Sequence, residues 1–123
     1  MGGSLNSQQF VEAMEAHVRD AATEATMSTL ESPPGRRPSL AVRERAAWYG
    51  GLSPQDQAHV RSVVREAAGA TVFGLLTVLD GARIVDEEKG RFELFYTGCE
   101  RALLNPEGID LHDLLRGPAD ETG

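Results

Sequence analysis

Three histidines, one cysteine and nineteen carboxylates are the groups in this 123-residue chain with types suited to catalysis or metal binding. His17, His59 and His112 are far apart in sequence, so a His/Glu or Cys/His site would have to be assembled in space. Such a site would need a pocket between a hairpin and the longest helix, with His17, His59, Glu93 and Cys99 as its polar members. Cys99 falls in an expected hairpin turn, with no helix terminus or cation beside it in sequence to activate a thiolate. The cluster Asp110, His112, Asp113 invites a metal reading. Both aspartates are nevertheless accounted for at a helix start, Asp110 as the cap and Asp113 at the third position, where negative charge is favourable. His112, two residues past that cap, is then expected to face solvent. The adjacent Asp86, Glu87 and Glu88 lack the spaced oxygens of a calcium loop and read as a solvated turn.

The chain has no glycine-rich phosphate loop, dinucleotide fingerprint, HExxH or nucleophile elbow. No cofactor or resident metal is therefore expected. Trp48-Tyr49, followed by Gly50-Gly51, reads in two ways. The pair could form a binding hot spot or line a cleft. Alternatively, Trp48 closes the core and Tyr49 lies at its edge.

These residues need elements to hold them. The organising one runs over 53–80. Ser53 can cap, Pro54 suits the first helical position, and Asp56 sits three residues after the cap. Val60, Val64, Val72, Leu75, Leu76 and Leu79 recur at helical spacing, and Asp80-Gly81 supplies a stop. The half before Gly69 has a polar face; residues 70–79 are apolar nearly all round, which predicts burial on several sides. Gly69 and Gly74 suggest close approach by another backbone or a kink, with a break near Gly69 into a separate helix or strand as the alternative to one continuous helix. An earlier helix over 6–31 has Asn6 and Gln9 as a capping box and Val11, Met14, Val18, Ala21 and Ala25 as its stripe. Glu15 and Arg19 form an expected pair one turn apart on it. Three prolines and a glycine over 32–38 make a loop, and a shorter helix follows over 39–49. Strands are expected over 82–85, 91–97 and 101–104 as a small antiparallel sheet against a helix, and a last short helix over 110–116.

The fold class is thus α+β: a three-helix layer, a small antiparallel hairpin sheet and a short C-terminal helix, in a single domain over 1–123 with flexible ends at 1–5 and 118–123. Val64, Val72, Leu75, Leu76, Phe92 and Leu94 are the expected core. The apolar runs read as too short and interrupted for a membrane span. One cysteine excludes an internal disulfide, no secretory signal is visible, and the cytoplasm is the expected compartment. Net charge is −7; 36–65 is net basic, while the segments on either side are acidic. An acidic whole disfavours general nucleic-acid binding.

From these observations the chain reads as a non-enzymatic, acidic protein-binding domain of the antagonist or immunity kind. Asp86, Glu87, Glu88, Trp48 and Tyr49 are its expected contacts to a partner protein of basic character. Two-fold self-association would cover the apolar 70–79 region if the sheet and final helix do not. The alternative is a small enzyme with a spatially assembled His/Glu or Cys/His site.

Overall fold

A computed structural model of the chain describes residues 5–81 and 90–116. In order, these form α1 (Ser7–Met14), a π-helical segment (Glu15–Asp20), α2 (Ala21–Glu31), α3 (Leu40–Gly50), α4 (Pro54–Leu79), β1 (Phe95–Thr97), β2 (Arg101–Leu103) and α5 (Leu111–Leu114). The mixed architecture is the expected one, with a helical core, a small antiparallel hairpin and a short C-terminal helix. The strand expected over 82–85 and the carboxylates Asp86, Glu87 and Glu88 lie outside the described residues.

Helix starts follow the capping residues. The Asn6 side chain accepts from the Gln9 amide at 2.8 Å, and the Gln9 side chain accepts from the Asn6 amide at 3.0 Å, a reciprocal capping box. Ser39 and Ser53 accept from the amides of Val42 and Asp56 at 3.2 and 3.1 Å. Gly81, at φ 79°, ends α4 in the conformation that glycine tolerates best.

The first helical run turns a different face inward from the one its apolar stripe predicts. Val11, Glu15, Arg19, Thr23 and Met27 are buried, whereas Val18 is 42% exposed and Ala21 and Ala25 face outward. The buried positions are four residues apart. In a regular α-helix that spacing drifts by about 40° per step. The wider π-helical turn offsets the drift where Glu15 and Arg19 sit. Both side chains therefore point inward.

Two apolar clusters result. Val11, Val72, Leu76 and Leu111 form one, with Phe10, Met14 and Leu114 packed around them. Met27, Leu30 and Tyr49 form the other, against Leu52, Val60 and Val64. The early residues of the first helical run meet the late residues of α4 and its late residues meet the early ones, so the two lie antiparallel. Buried Glu15, Arg19 and Thr23 occupy the level between the clusters. A side chain at Gly69 would come within 3.4 Å of the Arg19 stem. The glycine makes room for a side chain, not for the second backbone its presence suggested.

The expected core holds in part. Val72 and Leu76 are buried and Val64 and Leu94 half-buried, but Leu75 is 56% and Phe92 43% exposed. The covering elements reach only the Val72–Leu76 side of α4, and Leu75 projects about 60° away from Val72 around the axis. By length and composition α4 can also cross a bilayer: its most apolar 18-residue window has mean hydropathy 1.4, and 17% of that window is buried. Length and composition alone do not distinguish such a helix from the core helix of a soluble protein.

In the hairpin, Phe95 pairs with Leu103, Tyr96 with Ala102 and Thr97 with Arg101. β1 begins four residues later than the alternation predicts because a side chain replaces the ladder. Buried Asn105 accepts from the Leu94 amide at 2.8 Å and donates to the carbonyls of Phe92 at 2.9 Å and Leu79 at 3.0 Å. Those bonds also tie the hairpin to the end of α4. The burial expected of the sheet fails for β1, every residue of which is exposed, while Ala102 and Leu103 of β2 are half-buried. The hairpin is held instead by Leu104, 2% exposed, and Asn105, 4% exposed, with Ser7 Oγ donating to the Leu104 carbonyl at 2.5 Å. Arg101 stacks over the Phe95 ring at 3.9 Å.

Candidate functional site

The cluster of titratable groups forms where α4 ends. Asp80 is the C-terminal cap residue of α4, and its side chain is only 1% exposed. One carboxylate oxygen accepts from the Leu111 amide at 2.9 Å. The other accepts from the His112 amide at 2.9 Å and lies 2.6 Å from His112 Nδ1. Asp80 thus takes the capping role expected of Asp110, whose side chain makes no cap bond. His112 is correspondingly held inward, 19% exposed, and does not face solvent as expected. The Phe73 ring meets it edge to face, with centroids 5.5 Å apart. The hydrogen bond to Asp80 raises the imidazole above its ordinary pKa, and Asp113, 3.5 Å from Nε2, adds to the shift.

Asp80, Asp110 and His112 place one ligand atom each within 4.8 Å of one another. A bound cation would need their lone pairs aimed at a common point. Both Asp80 oxygens are already engaged by two amides and the imidazole, and coordination through Nδ1 would break the 2.6 Å bond. Without a cation, the arrangement is a hydrogen-bonded carboxylate–imidazole pair with Asp110 beside it. A polar cavity of about 230 Å³ adjoins Asp80 and Asp110 and is lined also by Arg91 and Glu107, but not by His112. Arg91 is anchored there through the Asn105 carbonyl at 2.5 Å.

A second polar group lies at the π-helical segment. Glu15, 3% exposed, accepts from the Arg116 amide at 2.8 Å and from its guanidinium at 3.0 Å. Arg19 donates to the Arg116 carbonyl at 3.1 Å and to Asp20 at 2.9 Å. The Arg19 guanidinium holds the Asp20 carboxyl below the usual carboxylate range, with Arg65 contributing. Glu15 and Arg19 hold Arg116, two residues past α5, onto the first helical run, which gives them a structural task.

The structure does not bring together the expected catalytic members. His17, His59, Glu93 and Cys99 are all exposed, and no hydrogen bond or ion pair among the described residues joins any two of them. Of the expected partner contacts, Trp48 is 55% exposed and Tyr49 is buried at 7%, the reverse of the packing alternative. On α3 the inner face is Val42, Ala46 and Tyr49, which leaves Trp48 on the flank. There it edges an apolar groove of about 350 Å³ between α2, α3 and α4, lined by Leu30, Val42, Val60 and Val64 with Arg45 as its charged member. Sequence reasoning marked Trp48 but missed Asp80. A carboxylate at a helix stop gives no local sign that it will cap a helix thirty residues later. Compared with known protein families, curated proteins and solved structures, the chain matches none of them.

Proposed function

We propose that this chain is a protein-binding domain that receives a partner in the groove between α2, α3 and α4. The observation that carries the reading is the exposed Trp48 standing at the edge of an apolar groove. Aromatic anchors beside apolar pockets are the usual centres of binding energy at interfaces. Affinity capture from the native cell tests it. Wild-type chain should retain a specific partner that Trp48→Ala loses, while the two proteins unfold at the same denaturant midpoint. Equal capture by both variants would refute the reading.

A second reading, a small enzyme, draws support from the Asp80–His112 pair. A buried carboxylate that orients an imidazole through Nδ1 is the arrangement of a general base, leaving Nε2 to work. The pair would transfer protons for a substrate reaching His112 from the Asp113 side. Turnover of acyl or phosphoryl ester probes that vanishes in His112→Gln would establish this reading, and equal rates in both variants would remove it.

A further inference from the structure

We infer that the groove edged by Trp48 takes an acidic amphipathic peptide segment, with an apolar side chain between Val42, Val60 and Val64 and a carboxylate on Arg45. This inference rests on the protein-binding reading and adds the chemistry of the partner. The groove lining includes a guanidinium and no carboxylate. Arg45 makes no hydrogen bond or ion pair among the described residues. Its neighbours in charge differ: Arg61 pairs with Glu24, Arg65 with Asp20 at 3.4 Å, and Arg43 donates to the Pro38 carbonyl at 3.3 Å. An unpaired cation beside an apolar groove is the complement of a carboxylate next to a hydrophobic anchor.

The loop between α2 and α3 extends the same charge. Arg36 and Arg37 are exposed on it, and among the described residues neither has an ion pair. Leu30 and Val42, which line the groove, are two of the lining residues closest to that loop in sequence, so the loop borders one end of the groove. The whole chain is acidic, at −7. At physiological ionic strength, however, fields decay over about 8 Å, and the charge within the lining itself, Arg45, weighs most on what enters. A basic segment would meet Arg45 without a compensating acid, whereas an acidic one would satisfy it.

A random peptide library displayed against the full chain, counter-selected on Trp48→Ala, tests this directly. Because Trp48 is the sole tryptophan, its emission then reports occupancy of the groove by each selected peptide. The expected result is a set of Trp48-dependent peptides with an aromatic or aliphatic residue flanked by Asp or Glu. Their binding should shift Trp48 emission to the blue. Affinity should fall about tenfold on Arg45→Gln, the loss expected of one charge-assisted hydrogen bond. Arg45→Glu should reverse the preference toward peptides carrying Lys in place of the acid. Trp48-dependent peptides that are neutral or basic, with affinity unmoved by either Arg45 variant, would overturn the acidic-partner inference and leave the groove reading standing. No Trp48-dependent peptide at all would overturn both. Circular dichroism of the Arg45 variants should superimpose on wild type, since Arg45 is exposed.

Discussion

Single residues separate burial from spacing most sharply at positions 75 and 76. Both belong to the same apolar run, yet Leu76 is 1% exposed and Leu75 is 56% exposed. Leu76→Ala should cost roughly 2–5 kcal/mol in urea unfolding; Leu75→Ala should cost well under half of that, and equal losses would mean that the outer side of α4 is covered. The Asn105 side chain makes three hydrogen bonds, all to backbone groups near the hairpin and at the end of α4. Asn105→Ala leaves those groups unpaired, at about 1–3 kcal/mol for each that water cannot reach. A fall in stability with unchanged helix content in the circular dichroism spectrum is expected. The Asp80–His112 bond makes stability depend on pH. Its imidazole is raised in the folded chain, so its contribution is full below about pH 6.5, the unfolded value, and is lost as pH rises through the higher folded value. Asp20 acts oppositely: its depressed carboxyl contributes above the unfolded value of about 3.8 and loses that contribution as pH falls through the folded one. The urea midpoint should therefore decline on the alkaline side in wild type and stay flatter in His112→Gln; parallel profiles would show that the bond adds nothing. None of these partnerships was legible in the sequence, because Asp80 and Asn105 act on groups that only the fold brings near.

Elements were more legible where their signals are local. Asn6, Ser39 and Ser53 cap the helices that their positions predict, and Pro54 opens α4. The packing faces were harder to read. The apolar stripe of Val11, Met14 and Val18 assumes a constant 3.6-residue period, and the π-helical turn at Glu15–Asp20 replaces that period locally and brings charges inward. β1 was overestimated because alternation over 91–97 cannot show that an asparagine will take the place of a strand. α4 keeps Val63 at 66% and Leu75 at 56% exposure, whereas Phe73, at 41%, meets His112 of α5 on the opposite flank. Apolar exposure of this kind favours self-association. Light scattering at micromolar concentration should detect dimers that Leu75→Glu weakens, and a strict monomer at every concentration would remove that expectation.

At the scale of the molecule, two modest apolar clusters are joined through a charged layer and closed by α5, while the groove flanked by Trp48 remains open between α2, α3 and α4. The α+β class followed from period and capping alone. The groove did not, since it needs three helices that are separated in sequence by a proline-rich loop and a glycine turn. The sequence marked Trp48 for its type and left its orientation undecided; burial of Tyr49 settles that orientation by turning Trp48 to the flank. The most direct measurement is site-specific photocrosslinking in the native cell, with a photoreactive residue replacing Val42 in the groove and, as control, exposed Ser62 on α4. One discrete covalent adduct should form from position 42, absent from position 62 and abolished when Trp48→Ala is added. Identical adducts from both positions, or adducts from position 42 that persist without Trp48, would contradict a binding function for the groove.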